Sequence, residues 1–204
     1  MRDQFAATAA AEPELLAHHF TQAGLTEAAV EWWGTAGHRS LARSALFEGA
    51  EQLKRALDQI ATLPVTPALR REEIKLEVAF ANVLALTGDL VGGKKHYDPA
   101  LANYHPADHP LATRSGRDVG VTLLSYRSNC VWQLGYPTAS RNDAERAVKS
   151  ARESAHPATL IYALNRAGIH YGLFCRDYAA ANAQVDELTA FADERGKHLE
   201  PLAG

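Results

Sequence analysis

The sequence predicts an all-α protein: a right-handed solenoid of about four stacked helical hairpins, preceded by one N-terminal helix. Three observations lead there. Apolar residues recur at three- and four-residue intervals through most of the 204 residues, while alternating runs rich in Val, Ile and Thr are missing. Alanine fills 38 positions, almost one in five, and its small side chain and high helix propensity suit closely packed helices. Finally, a small residue recurs four times in one register, at Gly49, Gly93, Ser140 and Ala181.

The elements follow in order. Pro13 to Gln22 forms the first helix, with proline in its first turn and Gly24 ending it. The second begins near Thr26, whose hydroxyl is placed to cap it, carries Val30, Trp32 and Trp33, and runs to about Arg43. From Phe47 to Leu63 the residues Ala50, Leu53, Ala56, Leu57 and Ile60 make one apolar stripe, stopped by Pro64 and Pro67. Helices are expected at Ala68 to Leu86 and at Leu90 to about Tyr104, joined by Thr87-Gly88-Asp89. Pro106, Pro110 and Gly116 break the pattern, so 105–118 reads as a long loop. Val119 to Leu134 and Thr138 to Ser154 pair across Gly135-Tyr136-Pro137. Ala158 to Phe174 and Tyr178 to Arg195 make the last pair. Residues 1–12 read as disordered or left over from a preceding domain, and 196–204 as a frayed end. No Ser/Gly-rich linker divides the array, which counts as one domain over 1–204.

In each pair the small residue is followed by larger or apolar ones four and seven positions on: Gly49-Leu53-Ala56, Gly93-Tyr97-Ala100, Ser140-Ala144-Ala147 and Ala181-Val185-Leu188. A small residue lets two helices approach, and the side chain one turn later fills the groove between neighbours. The leading residues are 44, 47 and 41 apart, longer than the 34 of the tetratricopeptide repeat but within the range of helical-hairpin arrays. Trp33-x2-Ala36-Gly37 lies close to the W-x2-L-G of that repeat. Later units are looser: Arg127 and Asn165 fall on positions that should be apolar.

Composition narrows the function. Hydrophobic residues make up 47% and charged residues 22%, a globular balance. A net charge of -3 and a pI near 6.3, with Lys and Arg scattered, leave no footprint for nucleic acid. Apolar stretches fall short of the roughly 18 residues of a membrane span. The N-terminus has no secretory core, and Cys130 and Cys175 lie 45 residues apart without CxxC spacing. Both features suit the cytoplasm.

The segment Pro13-Glu14-Leu15-Leu16-Ala17-His18-His19-Phe20-Thr21-Gln22-Ala23-Gly24-Leu25, with Ala28-x3-Trp32 and Ala36-Gly37 after it, resembles a junction in large bacterial proteins. Those proteins fuse a class III adenylate/guanylate cyclase domain to a signal-transduction ATPase of the STAND type and a tetratricopeptide-like tail. Asp118-Val119-Gly120-Val121 to Leu134-Gly135-Tyr136-Pro137, and His156-Pro157, are similar to that tail. The resemblance implies the sensor or scaffold part of such a protein, with the adjoining ATPase or cyclase domains among its partners. The family tail carries a further repeat pair between the first two units and continues past this C-terminus, so the chain is expected to be a fragment, a truncated reading frame or a degenerate stand-alone descendant.

Chemistry of other kinds finds little support. Gly92-Gly93-Lys94-Lys95 lacks the first glycine and closing hydroxyl of a P-loop, and its glycines suit helix packing. His105-x3-His109 with Asp108 has metal-ligand residue types, but the flanking prolines forbid the helical geometry that would bring both rings to one face. His18 and His19 are adjacent in a helix and point about 100° apart, one expected to pack and one to be exposed. Cys130 and Cys175 read as small buried hydrophobes, and Trp32, Trp33 and Trp132 as packing residues. No catalytic, metal or cofactor site is expected, and no enzyme activity.

What remains is a surface. The second, fifth, ninth, twelfth and thirteenth positions of the first helices face the concave side of such an array, and yield Lys75, Asn82, Asn129, Trp132, Gln133, Arg166 and His170. Amides can bond the backbone of an extended peptide, and Lys75 or Arg166 its carboxylates. A protein or peptide partner is the expectation. Pairing with a second copy through uncapped ends and capture of a small effector are the alternatives.

Overall fold

A computed structural model describes residues 12–105 and 117–196. Residues 106–116 of the loop expected at 105–118, with Asp108 and His109, and the two chain ends lie outside the described residues. The described residues are helical without strands, and the chain divides into two compact units, Met1–Asp108 and His109–Gly204.

The first unit contains α1 (Pro13–Gln22), α2 (Thr26–Ala42), α3 (Leu46–Ile60), α4 (Pro67–Leu86) and α5 (Leu90–Asn103). Here α1 leads the hairpins α2/α3 and α4/α5. Their core joins Ala17 of α1, Ala29, Val30 and Trp33 of α2, Leu53, Ala56 and Ile60 of α3, and Leu76, Phe80 and Val83 of α4. Trp33 is a core residue: its indole Nε1 donates to Thr21 Oγ1 at 3.0 Å, and Arg55 stacks over its ring at 4.9 Å. Thr26 does not cap α2; Leu25 holds the cap position and no side chain bonds the free amides there. The chain enters α2 from the left-handed Gly24, so the turn ends one residue earlier than a threonine cap requires. Pro99 sits inside α5. Its missing N–H frees a carbonyl at Lys95, and both residues are exposed, so water can take that bond.

The second unit contains α6 (Val119–Gln133), α7 (Pro137–Ser154), α8 (Pro157–Ala163), a π segment (Leu164–Ile169), α9 (His170–Phe174) and α10 (Tyr178–Gly196). One hairpin is α6/α7. The other pairs the continuous stretch 157–174 with α10. Arg127, misplaced by an apolar pattern, reaches Asp143 on α7, which is only 4% exposed, in an ion pair. The π segment accounts for Asn165. One turn takes an extra residue, the ring Nδ1 of His170 lies 2.8 Å from the Asn165 carbonyl, and Asn165 turns outward while Leu164 and Ala167 stay buried.

The turns explain the repeat. Ser44, Gly88, Gly135 and Arg176 carry positive φ of 63°, 97°, 86° and 56°, and Gly49, Gly93, Ser140 and Ala181 each follow five residues later. In every one the residue after the left-handed one donates its N–H six-to-one: Ala45 to Ser40, Asp89 to Leu84, Tyr136 to Val131 and Asp177 to Gly172, at 2.8–2.9 Å. This is the Schellman closure of a helix end. It delivers the small residue against the preceding helix, where a Cβ on Gly93 would stand 3.0 Å from the Ala81 carbonyl. In the third hairpin Ser128 Oγ donates to the Ser140 carbonyl at 2.9 Å.

Candidate functional site

Two of the seven predicted surface residues lie in the first unit, two turns apart on α4. Lys75 is exposed and bonds Glu72 at 3.0 Å, a pair half open to solvent, and Asn82 is half-buried. The other five lie in the second unit.

Asn129, Trp132 and Gln133 share one side of α6, at steps of three and four. Asn129 Nδ2 donates to the Ser125 carbonyl at 3.2 Å, and Gln133 Nε2 to the Asn129 carbonyl at 3.3 Å. Both amides therefore keep acceptor oxygens for another molecule. Trp132 is half-buried and stacks on Phe174 of α9, ring centroids 4.8 Å apart and planes inclined by 22°. His170, one turn before Phe174 and half-buried, has its ring 6.4 Å from that of Phe174. The π segment sets where α9 begins, and Phe174 of α9 lies on Trp132 of α6 with His170 one turn before it. Arg166 is exposed and lies near Tyr162, whose phenol is raised by burial against the opposing charges of Arg117 and Arg166. Trp132, His170 and Phe174 thus form one aromatic face edged by two amides. Phe174, 40% exposed, is the member that sequence reasoning missed. In the sequence it is only the last residue of the helix expected from Ala158, and the π turn before it has no sequence signature.

Other expectations fare unevenly. His18 and His19 are both exposed, because each lies on the outer side of a short leading helix packed through Pro13 and Ala17. Cys130 is buried as expected, whereas Cys175 is half-buried at the end of α9. Trp32 packs half-buried on the first unit's core. Gly93 is a packing residue, Gly92 gives its N–H to Asp89 at 2.8 Å, and Lys94 pairs with Asp98 at 2.5 Å. His105 is exposed. No described helix is long and apolar enough to cross a membrane.

No family model matches the chain, and no curated protein matches it. Among solved structures it is similar to the crystal structure of BtubC (BKLC) from P. vanneervenii, with a TM-score of 0.67 and 16% identity over 88% of this chain and 69% of that one. At that identity the likeness speaks for the all-helical fold alone.

Proposed function

We propose that the chain is a non-catalytic helical-repeat module that holds an extended segment of a partner protein on the first helices of its hairpins. The cyclase-linked signalling ATPases it resembles would use such a module as sensor or scaffold in the cytoplasm. The observation that carries this reading is the Trp132–Phe174 stack with His170 beside it and the amides of Asn129 and Gln133 along one edge. Flat aromatic groups supply large contact area at little conformational cost, amides complement an extended backbone, and Arg166 suits acidic side chains.

The test is selection of peptides from a random library on the full chain, followed by titration. Trp132→Ala or Phe174→Ala is expected to weaken the selected peptides by roughly tenfold or more, as truncating an aromatic anchor does. Charge reversal at Arg166 is expected to weaken acidic peptides while the melting temperature stays unchanged. Equal affinity in all three variants removes this face as the site. Light scattering over a concentration series that shows self-association, lost in Trp132→Ala, would instead favour pairing of copies.

A further inference from the structure

The second unit holds a cavity of about 260 Å³ that shares no residue with the aromatic face. One wall is α7, where Arg141, Glu145, Val148 and Arg152 recur at steps of four, three and four and so form one stripe. The opposite wall is α10, through Gln184. Gly168 and Gly172 keep the wall between them thin: a Cβ on Gly168 would stand 2.9 Å from Gln184 Oε1, and one on Gly172 3.0 Å from Ala181.

The polar groups around the cavity are unevenly satisfied. Arg152 is matched, its Nε and Nη2 donating to the two carboxylate oxygens of Glu187 at 2.9 and 2.5 Å. Arg141 is not. Its Nε donates to the neutral Tyr171 hydroxyl at 3.2 Å, and no carboxylate among the described residues pairs with it, which leaves both Nη groups for another molecule. Gln184 Oε1 is buried and accepts no hydrogen bond among the described residues. A buried acceptor without a donor costs stability that a bound donor restores. The cavity therefore offers the exposed Arg141 cation, the unsatisfied Gln184 acceptor, two carboxylates at Glu145 and Asp177 that would repel an acid but attract its amino group, and an apolar floor at Ala144 and Val148.

We propose that this cavity binds a small carboxylic acid that also carries an amino or hydroxyl donor, with its carboxylate on the Nη groups of Arg141 and its donor on Gln184 Oε1. The volume sets the size. It falls just below the roughly 300–1,000 Å³ of sites for drug-sized ligands, so the ligand is of amino-acid or hydroxy-acid dimensions.

The experiment uses the full chain with a panel of L-amino acids and 2-hydroxy acids, matched against acetate and propionate, which lack the donor, and simple amines, which lack the carboxylate. Thermal shift and titration calorimetry are the readouts. At least one amino or hydroxy acid is expected to raise the melting temperature and bind with a millimolar or tighter Kd. Arg141→Gln is expected to weaken it by about tenfold or more. Gln184→Leu, close in shape and without the orphan oxygen, is expected to abolish binding without lowering the ligand-free melting temperature. The proposal is overturned if no compound shifts the melting curve at millimolar concentration, if acetate binds as tightly as the donor-bearing acids, or if both variants bind like the parent chain. These variants leave Trp132 and Phe174 untouched, so a failure here is distinguishable from failure of the peptide face.

Discussion

Replacing Ser44 by glycine is expected to stabilise the first unit. The helix-closing turns on either side of it in sequence place Gly24 and Gly88 at the left-handed position, with φ of 71° and 97°, whereas this turn forces a serine to φ 63°. For an L-residue that conformation costs roughly 1–2 kcal/mol. Glycine removes the cost but frees the unfolded chain, which takes back about 0.4–1 kcal/mol. Ser44 is exposed, so its replacement opens no cavity. The net gain spans about 0–1.6 kcal/mol and centres on about 0.8, equivalent to about 3–6 °C for a unit near 100 residues. Urea denaturation followed by far-UV circular dichroism measures it, with an unchanged slope showing that the compactness of neither state has moved. Gly88→Ala is the control and is expected to lose about 1 kcal/mol. A Ser44→Gly protein no more stable than the parent, beside a harmless Gly88→Ala, would refute the claim that these turns share one strained closure.

Two further outcomes follow from the ion pairs. Asp143→Ala removes the carboxylate that Arg127, 15% exposed, pairs with and is expected to cost about 3–5 kcal/mol, whereas the double variant Arg127→Met with Asp143→Leu is expected to be far closer to the parent; urea midpoints separate the two. The Arg152 hydrogen bonds hold the Glu187 carboxyl below the usual carboxylate range. That depressed value makes the pair stabilising above the unfolded carboxyl's range, and the contribution is lost as pH falls through and below it. Because the two side chains are 47% and 34% exposed, solvent screening limits the effect to about 0.2–1 kcal/mol, measured as a smaller acid loss of stability in Glu187→Gln than in the parent.

The helices and their repeat were legible because they rest on local rules. Each predicted helix boundary falls within a few residues of the structure, since prolines, glycines and apolar stripes punctuate the chain. The register through Gly49, Gly93, Ser140 and Ala181 was readable from spacing, but its cause was hidden: two of the four turns carry Ser44 and Arg176 where the conformation favours glycine. Arg127 looked misplaced because its partner Asp143 lies on another helix, and pairing across helices leaves no local pattern. The π segment was invisible for a related reason. An extra residue in one turn is fixed by how Leu164 and Ala167 pack, not by any residue's preference for that turn. The aromatic face was accordingly seen only in part, with Trp132 and His170 but without Phe174.

Binding of a selected peptide to the full chain, mapped residue by residue by nuclear magnetic resonance, tests the proposed module most directly. Capture on the aromatic face shifts the Trp132 indole N–H, the side-chain amides of Asn129 and Gln133 and the backbone amides of His170 and Phe174. Shifts confined to other helices, or a spectrum unchanged at saturating peptide, would contradict it.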